Sequence, residues 1–243
     1  DGRGIQAEGL MREAMQRIAK AGSIIVEHCE VNSLLRGGYI HDGLYARMHN
    51  HRGICSESEW REIERNIRLS EETGCRLHVC HISTKESVQL IRDAKKSGVK
   101  VTCETAPHYL LMNEGMLREE GYWKMNPPIR GVDDQMTLLA GILDGTVDVI
   151  ATDHAPHSEE EKSRGLEKSA FGIVGIETAF PLLYTYLVKT GMMSLDKLVD
   201  VMSTRPAEII GLDMTGKTAQ FDVETEWVID PEKFISKIKC SYW

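Results

Sequence analysis

Two kinds of hydrophobic pattern alternate along the chain. In the first, from Ala7 to Lys20, apolar residues recur every three or four positions, the spacing of an amphipathic helix. The same spacing returns over residues 56–74, 84–97 and 132–144, and a glycine stands at or just after the end of each stretch. The pattern therefore predicts a series of amphipathic helices that end at glycines.

The second pattern consists of short apolar runs between those helices, rich in β-branched residues. They cover residues 23–29, 76–82, 99–104 and 147–152, and a weaker run covers 122–125. Strands separated by helices are typical of parallel βαβ units, and nearly continuous apolar strands are typical of a sheet covered on both faces. No GxGxxG motif follows any of these strands, which argues against a dinucleotide-binding sheet.

Histidine and acidic residues stand at or just beyond the carboxyl ends of the predicted strands. They are His28, Glu30, His81, Glu104, His108, Asp153 and His157. In a (β/α)8 barrel this end carries the active site, and an open α/β sheet would also bind ligands there. Because the polar residues recur on successive strands, we favour an α/β fold of the TIM-type barrel class. The firm strands account for only about half of the roughly eight that a barrel needs.

Some other polar residues are predicted to have structural roles. Ser56 and Glu59 fit a capping box at the start of a helix. The HNH stretch at 49–51 lies in a polar loop, and His78 stands on a strand out of phase with His81. Residues 158–162 are highly charged and predict a solvated, mobile loop.

Composition narrows the class of protein. The net charge of −8 and the pI of about 5.6 argue against a general nucleic-acid binder. No apolar run approaches the roughly 18 residues of a membrane span, and no signal-peptide pattern is visible. The six cysteines contain no CxxC pair and predict free thiols. We therefore expect a cytoplasmic enzyme without nucleic-acid or membrane partners, although the charge does not identify a substrate.

Taken together, several motifs resemble the type I dihydroorotases of the cyclic amidohydrolase group. The motifs are ATDHAPH (151–157), LHVCHISTKES (77–87), ETAPHYL (104–110), MNPPIR (125–130) and FGIVGIE (171–177). The opening DGRGIQ is similar to a dihydroorotase stretch whose aspartate binds metal, whereas allantoinases and hydantoinases usually carry a metal-bridging lysine there. The resemblance implies the amidohydrolase barrel fold.

The resemblance also implies a set of site residues. It assigns metal binding to Asp1, His28, His81 and Asp153, with Asp153 also the catalytic acid and base. It assigns substrate binding to Asn126, His157, Phe171 and Gly172, with His157 holding a substrate carboxylate. The implied cofactor is Zn2+, as one or two ions. The family's HCED motif reads HCEV here, with Val31 in its last place.

The implied reaction is the reversible, metal-assisted hydrolysis of the cyclic amide of dihydroorotate to N-carbamoyl-aspartate in pyrimidine synthesis. Two alternatives stay open. One is an allantoinase- or hydantoinase-like amidohydrolase. The other is a non-catalytic dihydroorotase-like chain that supports a partner such as aspartate transcarbamoylase. A homodimer is a further expectation.

The family's first-strand HxHxR motif has no counterpart at the end of an apolar strand in this sequence. We therefore expect residues 1–211 to correspond to about strands four to eight of the barrel. Residues 212–243 would then be a C-terminal tail, a remnant of a small β domain. On this interpretation the activity of the chain by itself is an open question.

Overall fold

Four parallel strands form the main sheet of the protein. In this computed structural model, which describes residues 4–236, they lie side by side in chain order. The four strands are Ile24–Glu27 (β1), Arg76–Val79 (β4), Val101–Thr105 (β5) and Val149–Ile150 (β6). Two further short strands, Ile40–His41 (β2) and Gly53–Ile54 (β3), pair with each other in parallel. Strands that neighbour each other in chain order are what the wall of a (β/α)8 barrel requires.

Helices lie before, between and after the strands of the main sheet. They are Glu8–Lys20 (α1), Leu44–His49 (α2), Glu57–Thr73 (α3), Lys85–Lys96 (α4), Pro107–Leu111 (α5) and Val132–Asp144 (α6). The later helices are Glu159–Lys162 (α7), Gly165–Lys168 (α8), Ala179–Leu183 (α9), Leu195–Val199 (α10) and Arg205–Ile210 (α11), with π-helical turns at Tyr184–Val188 and Asp200–Thr204. Helix α3 ends at Gly74, whose φ of +69° is the left-handed conformation that glycine adopts without strain.

The core lies between the sheet and the helices that cover it. Leu77, Val79 and Cys103 on the central strands are fully buried, as are Met11 and Met15 on α1. The strand register pairs Glu27 with Val79, Val79 with Cys103, and Glu104 with Val149. This register brings the carboxyl ends of all four strands to one edge of the sheet, where the sequence places its histidines and acids.

The predicted helices are confirmed with their ends within one or two residues, and the four firm strands are confirmed but shorter. The weak run at 122–125 was wrongly predicted as a strand, because Gly121–Trp123 forms a 3-10 turn. The connection at 31–55 is also more ordered than its polar sequence suggests, since it contains β2, α2 and β3.

The chain after α11 forms no strand between residues 212 and 236. Its one regular element there is a 3-10 turn, Pro231–Lys233. Phe221 stacks on Phe180 of α9, with ring centroids 4.1 Å apart, and so holds this segment against the helical layer. Within residues 4–236, the helices are too short or too polar to cross a lipid bilayer.

Candidate active site

Two histidines meet at the carboxyl ends of adjacent strands. His28 follows β1 directly and His81 follows β4 by two residues, and Nδ1 of His28 lies 3.1 Å from Nε2 of His81. The His81 ring is buried, and burial lowers its pKa, which favours the neutral imidazole that can bind a metal. The two strands thus bring one nitrogen of each ring within 3.1 Å of the other.

Asp153 lies near this pair, in the segment that follows β6. Burial raises the pKa of its carboxyl, while the His81 and His28 rings act in the opposite direction. Both Asp153 and His81 adopt positive φ angles, +46° and +33°, which non-glycine residues rarely do. Backbone strain of this kind is often retained at functional sites, and here it coincides with two predicted site residues.

A carboxylate connects His28 to the predicted substrate-binding asparagine. Oε2 of Glu30 lies 3.7 Å from Nε2 of His28, and Oε1 accepts a hydrogen bond of 2.9 Å from Nδ2 of Asn126. Burial acts to raise the pKa of Glu30, but the interactions with His28 and Asn126 lower it overall. The Oδ1 atom of Asn126 is buried and accepts no hydrogen bond from residues 4–236. An unsatisfied buried acceptor is a candidate ligand contact.

Glu59 holds the loop that carries His81. Its buried carboxylate accepts hydrogen bonds from the amides of Ser83 and Thr84 and from the hydroxyls of Ser83, Thr84 and Ser87. The predicted capping box at the start of α3 is therefore wrong, since Ser56 makes no side-chain cap there. Glu59 instead binds the amides in front of α4, a position that favours a negative charge.

Arg130 joins the same network from the MNPPIR segment. The guanidinium is buried, donates to Oγ of Ser83 at 3.0 Å and to the Ile54 carbonyl at 2.9 Å, and lies 3.8 Å from Glu59. The His81 loop and the segment that carries Asn126 are thereby fixed relative to each other.

His157, Phe171 and Gly172 lie together in the segments after β6. Nε2 of His157 donates to the carbonyl of Phe171 at 2.7 Å, and its Nδ1 lies 3.7 Å from Oε2 of Glu161. Gly172 has φ +144°, and a Cβ there would lie 2.4 Å from the Ala155 carbonyl oxygen. Only glycine fits this close approach, so the backbone itself forms the turn beside His157.

The charged stretch at 158–162 is solvated at its three glutamates, as predicted, but it forms a short helix rather than a loop and its lysine is buried. Ser158 and Glu161 form a capping box for the short helix α7. Lys162 is 1% exposed, and its ammonium donates to three backbone carbonyls. Sequence reasoning missed Lys162 because a lysine that follows three glutamates gives no signal of burial.

Three other histidines near the strand ends differ in their contacts. His78 bonds to Thr102 and Glu104, as expected of a structural residue, and Nδ1 of His154 accepts from the amides of Gly175 and Ile176. His108 is a buried residue of α5 whose Nε2 makes no hydrogen bond with residues 4–236, and burial lowers its pKa to about 3.

The HNH stretch begins at the last residue of α2 and leads into β3, so it does not follow a strand of the main sheet. Nε2 of His51 lies 3.0 Å from Glu119, and His49 stacks on Tyr45 with ring centroids 4.2 Å apart. The two rings therefore contact neighbouring side chains, and His51 is only 14% exposed between Tyr39 and Glu119.

The nitrogens of His28 and His81 have a spacing that suits two ligands of one zinc ion. Two Zn–N bonds of about 2.0–2.1 Å at a tetrahedral angle would separate the nitrogens by about 3.3 Å, close to the 3.1 Å between His28 and His81. Within residues 4–236, however, no three His, Cys, Asp or Glu side chains converge as a complete metal cluster. Asp153 lies near the histidine pair without completing it, and Asp1 lies outside the described residues.

Comparison with known proteins gives the family. Residues 1–87 match the family model described as dihydro-orotase-like. The dihydroorotase of Listeria welshimeri is 50% identical over 247 aligned positions, which cover 98% of this chain and 58% of the relative. The dihydroorotase of a Geobacillus strain is 49% identical with the same coverage. The chain thus spans a little over half the length of these curated relatives.

Solved structures agree on the fold. An L-hydantoinase from Arthrobacter aurescens superposes with a TM-score of 0.75 at 32% identity, over 84% of this chain and 47% of the hydantoinase. A D-hydantoinase from a Thermus species gives a TM-score of 0.74 at 26% identity, over 85% of this chain and 47% of that one. The predicted α/β barrel class is confirmed as a partial barrel. The chain is a dihydroorotase-type amidohydrolase sequence that corresponds to part of the length of its relatives.

Proposed function

We propose that the protein to which this chain belongs is a dihydroorotase, which reversibly hydrolyses the cyclic amide of dihydroorotate to N-carbamoyl-aspartate. The observation that carries the proposal is the pairing of His28 and His81 beside Asp153 at adjacent strand ends. It occurs in a chain of which 98% aligns with a dihydroorotase at 50% identity. A place in pyrimidine synthesis and a cytoplasmic location belong to the same proposal.

His28, His81 and Asp153 are the part of the proposed zinc site that residues 4–236 contribute, and Asp1 is a further proposed ligand. A bound Zn2+ ion would supply Lewis-acid activation of water and of the ring carbonyl. Glu30 orients the His28 ring from its other nitrogen, an arrangement common around histidine ligands.

Asp153 acts as the proton carrier. Its carboxylate accepts a proton from the attacking water and returns it to the ring nitrogen that leaves as the amide bond breaks. The partly buried position limits the access of bulk water to that proton, and the charges of His81 and His28 oppose the effect of burial on the carboxyl.

The substrate carboxylate is assigned to His157. Its Nε2 donates to the Phe171 carbonyl and its Nδ1 lies 3.7 Å from Oε2 of Glu161, so a substrate carboxylate would accept a hydrogen bond from a protonated Nδ1 in place of Glu161. The unsatisfied Oδ1 of Asn126 would accept a hydrogen bond from a ring N–H, and the Phe171–Gly172 turn would form one wall of the site.

The test is turnover of dihydroorotate by the native full-length polypeptide, with an uncharged hydantoin and allantoin as competing substrates. We expect dihydroorotate to be preferred. We also expect Asp153→Asn to lower kcat by about 10³-fold or more, within the range for loss of a general base, while circular dichroism stays unchanged. Preference for the uncharged ring, or near-native turnover in the variant, would contradict the proposal.

A further inference from the structure

Lys162 has an unusual environment for a lysine. Its ammonium lies below the surface and donates hydrogen bonds to the carbonyls of Lys124 at 2.8 Å, Ala170 at 2.9 Å and Gly172 at 2.8 Å. Burial of a charged group is costly unless hydrogen bonds replace its hydration. The three carbonyls match the three donors of an ammonium, so the buried charge is satisfied by backbone of defined geometry.

The three carbonyls belong to the two segments that form the proposed substrate wall. Lys124 stands two residues before Asn126, while Ala170 and Gly172 flank Phe171. The amide of Gly172 also donates to the Lys124 carbonyl at 3.0 Å. The ammonium of Lys162 therefore reinforces a direct contact between the two segments.

A second lysine holds the side chain of the same turn. The ammonium of Lys124 donates to the Glu167 carbonyl at 2.8 Å and lies 4.3 Å from the centroid of the Phe171 ring. A cation over an aromatic face is attracted to it, and the attraction grows as water is excluded. The backbone of the turn is thus held by Lys162, and its aromatic ring by Lys124.

We propose that Lys162 is a positioning residue for substrate binding, which sets the Phe171–Gly172 turn against the Asn126 segment through its three carbonyl contacts. The inference rests on the proposed function, because it takes the Phe171–Gly172 turn as a wall of the dihydroorotate site. It assigns to Lys162 an effect on substrate affinity and none on the proton transfer at Asp153.

The test compares Lys162→Met with Lys168→Met in the native full-length polypeptide. Methionine keeps the length of the buried stem but removes every donor, and Lys168 is an exposed lysine six positions further along the same segment. For Lys162→Met we expect the KM for dihydroorotate to rise about tenfold with kcat changed less than about twofold, since misplaced contacts cost affinity. The Kd for dihydroorotate from calorimetry should rise in parallel, and Lys168→Met should match the unmodified protein.

A purely structural role predicts another pattern. Lys162→Met would then lower the melting temperature and the folded fraction, so that apparent kcat falls while KM stays unchanged, and this result would overturn the inference. If Lys162→Met does not fold, the KM of Lys162→Arg distinguishes the two roles. It keeps the charge but meets the carbonyls with a planar group, so a raised KM supports positioning and an unchanged KM contradicts it. Absence of turnover in the unmodified protein would instead contradict the proposed function.

Discussion

Within residues 4–236, the pair His28 and His81 and the pair His49 and His51 have contrasting surroundings. His28 and His81 come from separate strands and meet at 3.1 Å beside a partly buried aspartate. His49 and His51 come from one short stretch, with ring centroids 6.3 Å apart, next to the exposed carboxylate of Glu119.

The comparison shows that spacing in the sequence is a poor guide to a metal site. The HNH stretch imitates the HxH pattern of metal-binding strands, yet it follows a helix and its rings already have partners. His28 and His81 are 53 residues apart and become neighbours because parallel strands end at one edge. Architecture, rather than local pattern, therefore selects the reactive pair.

Substitution of one histidine in each pair should give the largest difference in dihydroorotate turnover. We expect His81→Gln to lower dihydroorotate turnover in the full-length protein by about a hundredfold or more, because one of the proposed ligands is lost. His51→Gln should leave turnover within about twofold of the unmodified protein, since His51 bonds to Tyr39 and Glu119 and is not one of the proposed ligands. Steady-state rates measured at one zinc concentration check both. Equal losses of turnover in the two variants would contradict the assignment of the active site to His28 and His81 rather than to His49 and His51.

The carboxylates of Glu59 and Glu119, one beside each histidine pair, should differ in their contribution to the free energy of unfolding. Glu59 is buried under hydrogen bonds from the His81 loop, whereas Glu119 is an exposed partner of His51. We expect Glu59→Gln to lower the free energy of unfolding by about 2–4 kcal/mol, and Glu119→Gln by less than about 1 kcal/mol. Chemical denaturation measures both. A Glu59→Gln variant as stable as Glu119→Gln would show that the buried network does not anchor the loop.

The smallest expected effect is a change in the pKa of Glu119, the carboxylate that contacts His51. The hydrogen bonds from His51 and then Tyr45 lower the pKa of Glu119 below its ordinary value of 4.5. Because the folded-state pKa is depressed, the stabilisation is present above the unfolded pKa and is lost as the pH falls through the folded value. Carbon NMR should place the Glu119 midpoint below 4.5 and show it rise in His51→Gln. An unchanged midpoint in that variant would contradict the assigned cause.

The fold was largely predictable because its helices carry strong periodicity and end at glycines. Helix α6 occupies the predicted range Val132–Asp144. The strands were harder, since their apolar runs continue into loops, and β6 retains only two paired residues of a six-residue run. The short strands β2 and β3 gave no signal, because a two-residue pairing needs no hydrophobic pattern.

The site was predictable where residue type and strand end coincide, as at His28, His81 and Asp153. It was not predictable where a polar side chain serves another segment. Glu59 and Lys162 both stand in charged runs that suggest exposure, yet both are buried. Glu59 binds the backbone amide of Ser83, 24 residues away, and Lys162 binds the backbone carbonyl of Gly172 in the loop that follows it. Such contacts depend on tertiary structure, which a single sequence does not display.

The most direct test of the account is the zinc content of the purified full-length protein, measured by mass spectrometry alongside His81→Gln and His51→Gln. We predict bound zinc in the unmodified protein and in His51→Gln, and loss of most of it in His81→Gln. Zinc retained in His81→Gln, or lost only in His51→Gln, would show that the metal does not lie at the strand ends and would contradict the proposed active site.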